Sequence, residues 1–323
     1  MKTIKWGIIG CGDVAEVKSG PAFQRVKNSE LFGVMRRNGE KAKDFAKRHK
    51  VPRWTNDANE LINTKEINSI YVATPPSTHK AYAIAALKAG KHVYLEKPMT
   101  LDTIEGLELS EAVKSSNQKL TVAHYRRKLP AFEKVSTLLD ERVVGDVVAV
   151  DIQLFQPKQS NIVAKTAENW RLTPEISGGG YFYDLAPHQI DLMYHYFGEF
   201  EAVSGYATSE NNKVEETVNG IIRFKNGIQF RGIWNFKASE IYKKEECVIY
   251  GTEGTIRFSF YGNNVKLCKA TGENTFAFEN PEHIQEPMIA ATVNYFLGSA
   301  ENPCSVNEGL QVMKALEKLS GRV

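Results

Sequence analysis

The 323-residue chain has few cysteines, no long apolar run and almost no charge bias, and each scarcity removes a class of function. Its four cysteines, Cys11, Cys247, Cys268 and Cys304, have no metal-type spacing, so no metal site is expected and four reduced thiols are. No apolar stretch approaches the ~20 residues that span a bilayer. The N-terminus runs straight into the strand-like Ile4-Lys5-Trp6-Gly7-Ile8-Ile9 without a signal-peptide pattern, which points to the cytoplasm. Lysine plus arginine exceed aspartate plus glutamate by 41 to 38. With the basic residues dispersed, neither nucleic acid nor a membrane is an expected partner. There is no internal repeat and no low-complexity linker. The length suits two soluble domains, each with its own core.

The strand Ile8-Ile9 is followed by Gly10-Cys11-Gly12-Asp13-Val14-Ala15, a G-x-G-x-x-A turn opening a helix. In such a turn the first glycine makes the bend, the second admits a pyrophosphate to the backbone, and the small third residue keeps the helix close to the strand. Cys11 fits as a small residue filling the turn, not as a nucleophile. Strands at 31–35, 69–73, 91–95 and 119–123 then alternate with helices at 40–49, 77–89 and 101–116, the pattern of a doubly wound parallel sheet. Ligands of such sheets lie at the carboxyl ends of the strands. Those ends carry Arg36-Arg37, Thr74-Pro75-Pro76, Glu96-Lys97-Pro98 and His124-Tyr125-Arg126-Arg127.

After the second strand an NAD site would carry an acid for the ribose 2′-hydroxyl, whereas arginine accommodates a 2′-phosphate. The chain reads Val34-Met35-Arg36-Arg37-Asn38 there, so NADP(H) is expected over NAD(H), because guanidinium groups meet a phosphate bidentately. Gly10, Cys11, Gly12, Asp13 and Val14, then Arg36, Arg37 and Lys41, then Thr74, Pro75, His79, Glu96, Lys97 and His124 make the expected cofactor contacts. Lys97, at the end of a buried strand, is aimed by Pro98, with Glu96 as a possible charge partner.

The second half changes character. A helix over 130–141 leads to a long strand from Val147, and six further strand-like runs over 202–269 are joined by turn signals such as Lys225-Asn226-Gly227, which is hairpin chemistry. An open, mainly antiparallel sheet with few helices follows, and helices over 287–297 and 308–319 close the chain. Within this half, Gly178-Gly179-Gly180 precede an apolar-periodic helix. Pro187 predicts a helix start near Tyr183 or Asp184, because proline is tolerated in a first turn. Asp184, His188 and Asp191 then share one edge. Asp184 as a helix cap and His188 as a core histidine are the alternative.

Together, Gly10–Ala15, Glu96-Lys97-Pro98 and the triple-glycine helix with Asp184 and His188 resemble the Gfo/Idh/MocA family of sugar and polyol oxidoreductases over nearly the whole length. Val34-Met35 and Trp170-Arg171 are similar to the branch containing 1,5-anhydro-D-fructose reductase and dihydrodiol dehydrogenase, from which Arg36-Arg37 and Ala123-His124-Tyr125 depart. The resemblance implies an N-terminal Rossmann domain, 1–123, and a C-terminal substrate and oligomerisation domain, 124–323. It also implies that Lys97, Asp184 and His188 handle the substrate oxygen and that Trp170 and Arg171 contact the cofactor. Tyr125 and Tyr181 are candidate substrate contacts. The expected activity is hydride transfer between NADP(H) and a carbon bearing a hydroxyl or carbonyl, in a homodimer or homotetramer formed through the second sheet. A non-catalytic nucleotide-binding sensor, and an enzyme that holds its nicotinamide for internal redox with net hydrolysis, are the other readings of the same fold.

Overall fold

The computed structural model describes residues 2–158, 160–163, 169–209 and 214–322. They form two compact units, Met1–Tyr125 with Pro281–Leu310, and Arg126–Asn280 with Gln311–Val323. The chain is therefore cut more than once: Pro281–Leu310, on the far side of a division at 123/124, packs with the first unit.

In the first unit, strands β1 (Ile4–Ile9), β2 (Ser29–Met35), β3 (Arg53–Thr55), β4 (Ser69–Val72), β5 (His92–Leu95) and β6 (Leu120–Val122) form one sheet in the order β3-β2-β1-β4-β5-β6. Every pairing in it is parallel. This is the doubly wound dinucleotide-binding order, with the topological switch between β1 and β4. Helices α1 (Ala22–Arg25), α2 (Gly39–Arg48), α3 (Ala58–Ile62), α4 (His79–Lys88) and α5 (Thr103–Lys114) connect the strands. The glycine turn does not open directly into an α-helix: Ala15–Ser19 is wound as a single π-turn, closed by Gly20 N donating to Ala15 O. Short β3 and α3 carry too little periodicity to be read from sequence.

The second unit contains β7 (Val147–Phe155), β8 (Phe200–Thr208), β9 (Thr217–Phe224), β10 (Gln229–Asn235), β11 (Lys244–Gly251), β12 (Gly254–Phe258), β13 (Asn264–Lys269) and β14 (Gly272–Ala277). The sheet order is β14-β13-β12-β11-β7-β10-β9-β8. Only β7 and β10 pair in parallel. Helices α6 (Pro130–Asp140), α7 (Pro174–Ser177) and α8 (Tyr181–Phe197) belong here. α8 lies on the face bearing Trp234: Phe182 meets that indole edge-on at 5.2 Å, and Trp234 Nε1 donates to buried Gln189 Oε1.

α8 begins at Tyr181, so Pro187 lies inside it and not in its first turn. An interior proline costs about 3 kcal/mol. The extra turn buries Phe182 and Tyr183, each worth roughly 1.5–3 kcal/mol, and that offsets the missing bond. Late in the chain come α9 (Glu286–Phe296) and α10 (Val306–Leu319). α9 adds Phe296 to the first unit's aromatic core, 5.7 Å from Trp6. Among the described residues no helix is long and apolar enough to cross a membrane.

Candidate functional site

Each unit carries one cluster. In the first, adjacent strand order aligns the ends of β2, β1, β4, β5 and β6, so Arg36, Gly10, Thr74, Lys97 and His124 follow one another along one edge of the sheet. Gly10 has φ +95°, and a Cβ there would meet Ala73 O at 2.8 Å. Around Gly12 an added Cβ meets nothing within 4 Å. The turn is thus closed at Gly10 and open at Gly12, the shape that the glycine pattern of a dinucleotide turn requires. Gly10 N and Cys11 N both donate to Met35 O, at 2.9 and 3.1 Å. That stitch brings the end of β2 beside the turn, and Arg36 Nη1 donates to Cys11 O at 3.4 Å. Arg37, Lys41 and Asp13 are exposed. Asn38 accepts from Lys41 N and caps α2. Burial pushes the Cys11 thiol up to about 11, which disfavours the thiolate a nucleophile needs.

His79 is fully buried, with Nδ1 2.9 Å from Pro98 O and Nε2 2.7 Å from Thr74 O. Burial depresses its pKa. Both nitrogens face protein carbonyls, so His79 is held between the Thr74 and Pro98 turns. Thr74 Oγ1 accepts from Thr78 at 2.7 Å, and Pro75 precedes a short 3₁₀ turn, Pro76–Thr78.

Glu96 is 7% exposed. Its Oε1 accepts from Tyr71 OH at 2.5 Å and from Gln285 Nε2 at 2.6 Å, while Oε2 accepts from Lys97 N at 3.2 Å. Tyr94 OH donates to Gln285 Oε1 at 3.0 Å. Burial raises both phenols well above their ordinary value, so they remain donors. This network fixes the backbone at Lys97, whose bond to Pro98 is cis. Gln285 was invisible in the sequence, because nothing local links it to a strand end nearly two hundred residues earlier. His124 and Tyr125 are buried after β6.

In the second unit Gly178 has φ +83°, and a Cβ on Gly179 would stand 2.2 Å from the Tyr183 ring. Side chains are excluded there by the close approach of α8. Asp184 lies in the first turn of α8, but Gly180 is the cap residue, so Asp184 is not an N-cap. Its Oδ2 accepts from Arg171 Nε at 2.7 Å. Arg171 is 5% exposed, and its guanidinium stacks 4.5 Å from the Trp170 ring. His188, one turn on, is 4% exposed. Tyr181 OH accepts from Asn169 at 2.7 Å. Asp191 has a different neighbour: Arg127 Nη2 and Nε donate to its two oxygens at 2.7 and 3.0 Å, and both side chains are 1% exposed. The sequence edge of acid, imidazole and acid therefore separates into Asp184 held by Arg171 and Asp191 held by Arg127.

Comparison with known proteins agrees with this architecture. Residues 4–124 match the oxidoreductase family with an NAD-binding Rossmann fold, and residues 132–257 match the GFO/IDH/MocA C-terminal domain. An oxidoreductase from Formosa agariphila is 53% identical over 98% of both chains. A 1,5-anhydro-D-fructose reductase from Ensifer adhaerens is 26% identical over 95% of this chain and 92% of its own. The solved structure of a levoglucosan dehydrogenase in complex with NADH and levoglucosan shares the fold at TM-score 0.85 and 23% identity, covering 98% of this chain and 96% of the other. With a nucleotide turn at the switch point of its first sheet and an eight-stranded second sheet behind the triple-glycine helix, this chain belongs to the Gfo/Idh/MocA family of oxidoreductases.

Proposed function

We propose that the protein is an NADP(H)-preferring dehydrogenase or reductase of a sugar, polyol or related hydroxy or carbonyl compound. The observation that carries the cofactor choice is Arg36, half-buried and drawn over the glycine turn by its bond to Cys11 O. It stands where an NAD site holds an acid, with exposed Arg37 and Lys41 beside the start of α2. A phosphate there gains charge-assisted bonds and the favourable end of the helix dipole. One such contact is worth roughly 1.5–3 kcal/mol, or about ten- to a hundredfold in affinity. Titration with both reduced cofactors should give that preference for NADPH, and Arg36→Asp should erase it. Equal affinities in the parent protein would sink the assignment.

The nicotinamide, when bound, supplies the hydride. Lys97 and His188 then stabilise and protonate the oxygen on which charge develops as a carbonyl is reduced, and the reverse holds for oxidation. His188 is the principal acid/base, and Lys97 gives electrophilic support. The ion pair with Arg171 fixes the plane of the Asp184 carboxylate, which orients the substrate hydroxyls. An absorbance screen at the nicotinamide band, offering 1,5-anhydro-D-fructose, levoglucosan, inositols and dicarbonyls with each cofactor, tests the activity. Cofactor binding without turnover of any of them would favour the sensor reading.

We further propose a homo-oligomer formed through the second sheet. Its face opposite α8 carries Tyr206 and Ile221, 82% and 61% exposed, next to the Arg231–Asp151 ion pair. Covering such apolar area on a two-fold related copy is favourable. Sedimentation at micromolar concentration should give a dimer or tetramer; a monomer would remove the idea.

A further inference from the structure

Arg322 has no part in the chemistry above, yet its guanidinium reaches one end of the glycine loop directly and the other through Glu215. Nε donates to Glu215 Oε1 at 2.9 Å, Nη2 donates to the same oxygen, and Nη1 donates to the carbonyl of Gly178. The cation also stacks 4.4 Å from the Tyr183 ring. Glu215, 8% exposed, places its other oxygen 3.4 Å from Gly180 N. Gly180 caps α8, and a carboxylate is favoured at that end of a helix. The segment bearing Arg322 is itself seated. Ser320 Oγ lies 3.2 Å from Tyr183 OH, and Leu319 fills the space that side chains on Gly205 and Gly220 would take in paired strands β8 and β9.

Three successive glycines are the softest backbone available, and α8 follows them directly. Something outside the loop must fix where the helix starts. We propose that Arg322, acting through Glu215 and Gly178 O, is a positioning residue that sets the height and rotation of α8 and so the aim of Asp184 and His188. The catalytic consequence rests on the roles given to those two residues above. Misplacement by about 1 Å is enough to cost about a hundredfold in rate.

The test uses full-length Arg322→Ala and Arg322→Lys, with Glu215→Gln as a milder variant in case alanine prevents folding. Amide hydrogen exchange over 178–184 should rise about tenfold in Arg322→Ala, the signature of a locally opened segment, with the β-strands of the first unit unchanged. The His188 ring resonance in histidine-labelled protein should shift, and added guanidinium ion should move it back. On a sugar that the parent turns over, kcat should fall about ten- to a hundredfold while KM for the nicotinamide nucleotide stays within about twofold. Glu215→Gln should show the same pattern at smaller amplitude. A folded Arg322→Ala with parent-like exchange over 178–184 and an unmoved His188 resonance would overturn the proposal. So would changes that guanidinium leaves in place and that track only a lower melting temperature. If the parent turns over no sugar, the catalytic roles fail separately, and exchange and resonance still decide whether the clamp exists.

Discussion

Replacing His188 with alanine is expected to lower turnover by about 10²–10⁴-fold, the range for a positioned acid/base, with cofactor affinity nearly unchanged. His188 is buried on α8, one turn beyond Asp184, in the unit that does not contain the nucleotide turn. A loss confined to the chemical step is therefore the expected signature. Asp184→Asn should also reduce turnover, because the amide keeps the shape but gives up the charge that meets Arg171. A histidine that merely fills the core makes the opposite forecast: a lower melting temperature, and normal turnover per folded molecule. Measuring both quantities on the same preparations separates the two. Near-parental turnover in stable His188→Ala and Lys97→Ala would mean that neither residue does chemistry.

The second large effect is on stability. Asp191→Ala removes the carboxylate that accepts from Arg127 inside the second unit, where both side chains are 1% exposed. Breaking one side of a buried ion pair costs about 3–5 kcal/mol, because the remaining charge stays desolvated. At about 2–4 °C per kcal/mol for a domain of this size, the melting temperature should drop by roughly 6–20 °C. Arg127→Met combined with Asp191→Leu should recover much of that loss, since an apolar pair of similar volume carries no desolvation penalty. Turnover of the folded single variant should remain within severalfold of the parent. A stable Asp191→Ala protein with abolished turnover would instead move Asp191 into the catalytic set.

The strand-to-helix alternation of the first unit and the hairpins of the second were legible because each element has a strong local period. So was the candidate site, to the extent that it sits at strand ends or follows an unusual glycine run. Beyond short β3 and α3, three further features were not legible. The N-terminal turn of α8 was hidden because Pro187 carries a local penalty, whereas the burial that offsets it is tertiary. The partners of the acids were hidden because Arg171, Arg127 and Gln285 reach them across 13, 64 and 189 residues. The strand β14 was hidden because its residues are nearly all exposed, leaving no alternation to detect.

The return of Pro281–Leu310 to the first unit orders events in time. Glu96 cannot acquire its Gln285 donor, and Lys119 Nζ cannot cap the end of α9 through Tyr295 O, until the ribosome has copied Arg126–Asn280, the larger part of the second unit. Roughly 160 residues separate Tyr125 from Gln285, which is about 8–30 s of synthesis at 5–20 residues per second. For that interval the nascent nucleotide-binding unit holds a carboxylate and two phenols without the amide that joins them. Its Rossmann sheet waits, with an aromatic flank uncovered, for a helix that has not yet been translated.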